Sequence, residues 1–363
     1  MSNSPLTRSL LGFGLPALLL VAFGSSVHAQ NGWGLAVVNG EFHFTDLTRG
    51  RVVKIDRSGR VNVFFEDIHC HNLAPGYDGR IYGEAVGTGS GGVGGVVGVW
   101  SLTANGEKGW VMPPTGQPLS GVWISRDEIG NSYGWDGEPD ITSRIVRRGP
   151  SGEISILGGG EWGQADGVGA SARFAYIGGL ATTRGGVVYV TDSGHLRRVQ
   201  PDGTVDTVVQ NIVSERTGGL PGEASLFNHS VGVAVSENET VYIADHYNLR
   251  VMRWDRNNGA SIAWNGADWL SRLTDNGIGW YPGGVAVDGT DLYVLEVLIA
   301  PPFLADLVGS PRIRRILPDG SSTSVASVAS TPMRVGAAGI GVLLVLGLAL
   351  LGRRLRGKRR SSG

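Results

Sequence analysis

Apolar and polar residues alternate in short runs from about residue 34 to 325, and each run stops at a turn rich in Gly, Asn, Asp or Pro. Runs with a period of two, bounded by such turns, read as β-strands. The runs also recur as a group. Residues 34–61, 179–205 and 232–260 repeat one pattern, opening at Gly-Leu-Ala or Gly-Val-Ala. A further copy is divided between 284–296 and 311–325, and two weaker copies occupy 72–107 and 121–157. Each copy holds four strands: the Gly-headed run, an aromatic-rich run such as Val187–Thr191, an Arg/Val run such as Leu196–Val199, and a last strand after a second turn. Asn39-Gly40, Asp78-Gly79 and Gly185-Gly186 make the first turn, and Ser58-Gly59, Pro201–Gly203 and Pro318–Gly320 the second. Glycine supplies the positive φ that tight hairpins need.

Six repeats of four strands, arranged radially, predict an all-β, six-bladed β-propeller of four-stranded antiparallel blades. A two-domain sandwich is the alternative, but it does not account for sixfold recurrence. The pattern resembles NHL repeats within the gluconolactonase-like superfamily of propellers. The resemblance is carried by GQADGVGASARF at 163–174 leading into 179–205, and by LPGEASLF at 220–227 before the next copy. It implies six blades over residues 30–328 and little about chemistry, since binding modules, sensors and enzymes share the fold.

Antiparallel order sorts the connections. The short turns between strands one and two and between three and four fall on one face. The two–three connections and the links between blades fall on the other, which carries all the long segments: 87–98, 137–142, 158–178, 210–231, 261–283 and 297–310. Variable loops on a rigid scaffold are where function tends to sit, so a site is expected on this long-loop face near the central channel.

The termini set the expected location. Arg8, the apolar run Leu10–Phe23 and Val27-His28-Ala29 resemble a secretory signal peptide over residues 1–29. After a linker at 329–334, an uncharged run at 335–352 is long enough for a membrane helix, and a basic tail at 353–363 follows. Flanking Arg and Lys stay cytoplasmic, so the propeller is expected outside the cytoplasm and the membrane is an expected partner. The helix and basic cluster resemble sorting signals of the PEP-CTERM type, although the Pro-Glu-Pro motif is absent. The 59 glycines among 363 residues fit many tight turns, and a net charge of −1 gives no basis for nucleic-acid binding. With Cys70 as its only cysteine, the chain has no internal disulfide.

One acid recurs on the long-loop face. Asp46, Asp136, Asp192, Asp245 and Glu296 each follow the aligned His43, Tyr133, Tyr189, Tyr242 or Tyr293 by three residues, while Glu84 follows Tyr82 by two. Two readings follow: caps that hold the turn after strand two, or a ring of carboxylates at the channel mouth that needs a metal or arginines such as Arg197, Arg250 and Arg314. His71, His195, His229 and His246 fall on the same face, where three converging on one ion would make a metal site. Gluconolactonase-like enzymes hold a divalent cation with a Glu, two Asn and an Asp. Only Asn72 matches, because Gly34, Gly121, Gly179, Gly232 and Gly284 head the other blades. Peptide-amidating lyases resembling NHL proteins place His before such a Gly, and here only His71, before Asn72, occupies an equivalent position. Asn72 and His71 are therefore the candidate metal ligands, for Ca or Zn, and no cofactor is required by the spacing. The glycines at 87–98 lack the Lys-Ser/Thr ending of a phosphate loop.

Apolar residues of 297–310 read either as a lid or as a patch for a partner, and Trp162, Trp264, Trp269 and Trp280 in the inter-blade links either fill core or stack on ligands. The sequence thus predicts a membrane-anchored, extracytoplasmic propeller that binds a small molecule or protein. The ligand-site candidates are His71, Asn72, Glu84, Asp136, Asp192, His195, His229, Asp245 and Glu296. A metal-dependent hydrolase or lyase at the same mouth is the alternative.

Overall fold

The structure is a computed structural model that describes residues 34–46, 51–66, 72–86, 96–113, 124–137, 141–210, 232–266, 279–299 and 311–327. These residues form six antiparallel sheets, each built from one contiguous stretch of chain. Blade 1 is β1 (Leu35–Val38), β2 (Glu41–Asp46), β3 (Arg51–Ile55) and β4 (Val61–Glu66). Blade 2 is β5 (Leu73–Pro75), β6 (Ile81–Val86), β7 (Val96–Leu102) and β8 (Lys108–Met112). Blade 3 is β9 (Ser125–Arg126), β10 (Ser132–Asp136), β11 (Thr142–Arg148) and β12 (Ile154–Glu161). Blade 4 begins with the short β13 (Gly167–Val168) and continues through β14 (Ile177–Thr182), β15 (Val188–Asp192), β16 (His195–Val199) and β17 (Thr204–Val209). Blade 5 is β18 (Val233–Val235), β19 (Val241–Asp245), β20 (Arg250–Asp255) and β21 (Gly259–Asn265). Blade 6 is β22 (Gly279–Asp288), β23 (Asp291–Ile299), β24 (Arg312–Ile316) and β25 (Ser322–Ser327).

The first strand of each blade touches the first strand of the next, in the order β1, β5, β9, β14, β18, β22, and β22 returns to β1. The sheets therefore close into a ring. Each blade is pressed between two neighbours, so both faces of its strands are buried. Leu35 and Val37 join a core with Ala286, Tyr293 and Leu295 of blade 6, while the alternate residue Ala36 packs with Leu73, Ile81 and Trp100 of blade 2. A strand with period-two geometry must be apolar on both sides in this setting. The other junctions repeat the scheme: Tyr82 with Ile124 and Val146, Tyr133 with Val188 and Val190, Tyr189 with Val241 and Ile243, and Ala244 with Val285 and Val294.

Among the described residues no strand is exchanged between blades 1 and 6. The two blades pack through side chains, with the Phe42 and Tyr293 rings edge to face at 4.7 Å. Turn chemistry follows the sequence: Asn39 and Gly40 both have positive φ (54° and 69°), which fits the two-residue link between β1 and β2.

Two features differ from four uniform strands per blade. The leader at 163–174 adds β13 to the outer edge of blade 4, pairing Gly167 with Val205, and its Gly169 bridges to Gly158 of blade 3. Several long connections are also shorter than expected, because β12, β21, β22 and β23 extend into them. The runs at 1–29 and 335–352 lie outside the described residues, as do the linker and tail. Among the described residues no helix is long and apolar enough to cross a membrane.

Candidate functional site

The strand-two acids come first, because the register fixes their surroundings. Asp46 lies opposite Arg51, Asp136 opposite Arg144, Asp245 opposite Arg250 and Glu296 opposite Arg312. Each pair forms an ion pair, at 2.9, 2.7, 2.7 and 2.6 Å. Glu296 also takes Arg314 at 2.7 Å. In blade 4 His195 stands opposite Asp192, and Arg197 reaches the carboxylate from two residues further on, at 2.9 Å. Arg197 is buried, and it also donates to the carbonyls of Arg173 and Ala165 and to Asp166. It thereby ties the leader to the blade. Burial raises the pKa of Asp192 despite this guanidinium and the Ala175 N–H. These five acids are engaged by arginines of their own blades. Asp192 also accepts from Ala175 N and Asp245 from the Asn248 side chain.

Blade 2 breaks the scheme. Glu84 lies opposite Val99, and among the described residues no arginine reaches it. Trp100 packs over the neighbouring Gly83, where a Cβ would meet the indole at 2.1 Å, and the indole N–H donates to the Glu84 carbonyl at 3.0 Å. The Glu84 side chain is 1 % exposed. Its hydrogen bonds come from Asn72 Nδ2, at 3.2 and 3.3 Å to the two carboxyl oxygens. Desolvation with no compensating cation pushes its pKa up to about 8, against which the Asn72 bonds pull only weakly.

Asn72 connects this acid to the channel. A cavity of about 350 Å³ runs along the axis, lined by the first strands and their flanking residues. At the long-loop end its wall includes Gly34, Asn72, Gly179, Gly232 and Gly284. The glycines are required by close approach, since a Cβ on Gly34 would lie 2.4 Å from Leu73 N and one on Gly232 2.8 Å from Gly283 O. Among the described blade heads, Asn72 is the one that brings a functional side chain.

The short-turn end is built differently. Tyr77 of blade 2 donates to the carbonyl of Thr182 in blade 4 at 3.4 Å, and Arg184 lies over the Tyr77 ring at 4.7 Å. Arg184 also pairs with Glu128 and Glu237, both at 3.5 Å. Turns from blades 2 to 5 thus meet in one polar knot across that end.

Other candidates separate. His71 and His229 lie outside the described residues. His246 packs against Tyr281 at 4.8 Å, with Nδ1 3.1 Å from the Pro282 carbonyl. Among the described residues no group of three or more His, Cys, Asp and Glu is placed to hold a metal. Of the tryptophans, Trp264 is buried between blades 5 and 6 and Trp280 lies under Arg312 at 4.0 Å. The arginine partners were visible in the sequence as a basic residue opening each Arg/Val run. The absence of arginine opposite Glu84, where Val99 stands, was overlooked.

Comparison with solved structures agrees with this architecture. The chain is a six-bladed β-propeller. A putative gluconolactonase matches over 82 % of this chain and 89 % of its own, at 12 % identity and a TM-score of 0.50. A Bacteroides thetaiotaomicron protein of unknown function matches over 72 % and 66 %, at 17 % identity and a TM-score of 0.50. Virginiamycin B lyase from Staphylococcus aureus matches over 86 % and 88 %, at 13 % identity and a TM-score of 0.47. At these identities the likeness is one of fold. No protein-family model and no curated protein matches the chain.

Proposed function

We propose that this propeller is a ligand-binding module held outside the cytoplasm by its C-terminal apolar run, with the ligand seated at the long-loop mouth of the channel against Asn72. The observation that carries the reading is the contrast between blades. Five strand-two acids are neutralised by their own arginines. The remaining one stands behind an asparagine on the channel wall. An amide with a buried acid behind it is a specific polar contact in a cavity otherwise lined largely by backbone and small side chains, which suits recognition of a polar group.

A hydrolase or lyase at the same mouth is the second reading. Glu84 favours it, because an acid with a pKa near 8 holds its proton at neutral pH and acids of that kind serve as proton donors. The two readings separate on the full-length protein purified in detergent. Binding alone predicts no stoichiometric Ca or Zn by elemental analysis and no turnover of glucono-lactone. It also predicts a small molecule, found in a thermal-shift screen, that raises the melting temperature of the wild type but not of Asn72→Ala, since a native-state ligand at a hundred times Kd adds about 2.7 kcal/mol. Stoichiometric metal and lactone hydrolysis, lost together in Asn72→Ala, would replace the first reading by the second. Recovery of the protein in the soluble fraction without detergent would remove the anchor.

A further inference from the structure

Trp162 is not used as core. It is 38 % exposed and packs edge to face with Tyr176, also 38 % exposed, at 5.7 Å and 77°. Ile141, 60 % exposed, is joined to it through the backbone. All three lie on the long-loop face where blades 3 and 4 meet: Ile141 precedes β11, Trp162 follows β12 and Tyr176 precedes β14. The exposure does not come from loose chain. Trp162 N–H donates to the Ile141 carbonyl at 2.9 Å, and Gly163 N–H to the Phe174 carbonyl at 3.0 Å. Tyr176 is held on both sides, its N–H donating to Ser193 Oγ at 3.3 Å and its carbonyl accepting from Ser193 N at 2.9 Å. Beside the aromatic pair runs an exposed ion pair, Arg173 to Glu161 at 2.7 Å, with the arginine stem against Gly163.

The geometry points to a saccharide-binding platform, on which a sugar ring rests its apolar C–H face against Trp162 and Tyr176 and turns its hydroxyls to Glu161 and Arg173. The site is separate from Asn72 and does not depend on the channel reading. A rigid aromatic surface with a charged rim suits a ligand that is itself apolar on one face and hydroxylated at its edge. A protein partner fits poorly: a specific interface buries about 800 Å² per partner, and three partly exposed side chains offer far less. Nucleic acid fits poorly too, since the acid Glu161 adjoins Trp162 and the net charge is −1.

Native gels cast with dextran, laminarin, xylan or glycol chitin test this on the full-length protein in mild detergent, with retardation giving an apparent Kd. At least one polysaccharide is expected to retard the wild type. Trp162→Ala should weaken that retardation about tenfold or more, which corresponds to about 1.4 kcal/mol. Trp162→Phe should keep most of it, and Ile129→Ala, at an exposed residue of the short-turn face, should leave it unchanged. Because Trp162 is at the surface, an unaltered melting temperature will show that the variant is folded. Retardation by none of the four polysaccharides, or retardation that Trp162→Ala leaves intact, overturns the assignment. So does a protein partner captured through Trp162 without any saccharide effect.

Discussion

Replacing Glu84 by glutamine removes one titrating group and keeps its shape. In the folded protein the carboxyl binds its proton up to about pH 8, whereas an unfolded glutamate releases it near 4.5. A group whose folded pKa is raised gives stability that is fully present below the unfolded value and lost as pH climbs through the folded one. The native state binds the extra proton between those limits, so stability falls there by about 1.36 kcal/mol per pH unit, or about 5 kcal/mol in all as an upper bound. His43 acts in the opposite sense. It is buried, both ring nitrogens lack partners, and desolvation brings its pKa down from 6.5 to about 4. Its contribution is present above 6.5 and is lost as pH falls toward 4, so it masks part of the Glu84 effect in acid. The clean window is pH 6.5 to 8, where His43 is silent and the wild type should lose about 2 kcal/mol relative to Glu84→Gln. Urea unfolding followed by tryptophan fluorescence at half-unit steps measures this, with a constant m value as the check that only stability has moved. Surface histidines titrate identically in the two proteins and cancel in the difference. Parallel curves across that window would refute the picture of a protonated acid behind Asn72.

Two other perturbations probe the scaffold. Arg197→Met leaves Asp192 buried without its cation and removes the side-chain donor from two leader carbonyls, which keep only their backbone partners, so a loss of about 3–5 kcal/mol is expected in the same denaturation assay. Phe42→Ala empties the blade 1–blade 6 junction opposite Tyr293; about 3–5 kcal/mol should be lost, and early proteolysis should open the ring at that junction, because no described strand crosses it.

The fold was legible because each blade restates it. The Gly-headed strand, the aromatic strand and the two glycine turns recur often enough that one ambiguous copy, such as 121–137, is settled by the others. The pairing of Asp46 with Arg51, or of Asp245 with Arg250, was within reach for the same reason. Both residues sit at fixed steps beside the two–three connection, where antiparallel pairing must bring them face to face. What could not be read was depth. Trp162 and Trp264 occupy similar places in the chain, yet one is held out by the Ile141 bridge and the other is enclosed by Val251 and Val285. Burial at a blade junction depends on the neighbouring blade, which lies tens of residues away in sequence. The fifth strand β13 was missed for a related reason: its two residues pair with β17, across most of blade 4.

The departures from the repeat do not scatter. In blade 2 the acid shifts by one residue, Val99 stands opposite it, no arginine among the described residues reaches it, and the head position bears Asn72 where the described heads of four other blades bear glycine. Any one of these changes is unfavourable by itself. An unpaired buried acid costs free energy to ionise, and a side chain at a head position must fit where first strands approach closely enough to exclude a Cβ at Gly34 and Gly232. Together they are mutually consistent: Val99 offers Glu84 no cation, burial without one keeps the carboxyl protonated, and Asn72 is the group that satisfies it from the channel side. A scaffold requirement would recur in every blade. Changes found together in one of the described blades, interlocked and facing the cavity at one mouth, are what the proposed ligand-binding reading requires. Restoring the common pattern in that blade, with Asn72→Gly and Val99→Arg together, should therefore abolish ligand-induced thermal stabilisation while leaving the ring closed. A double variant that still responds to the same ligand would place the binding site elsewhere.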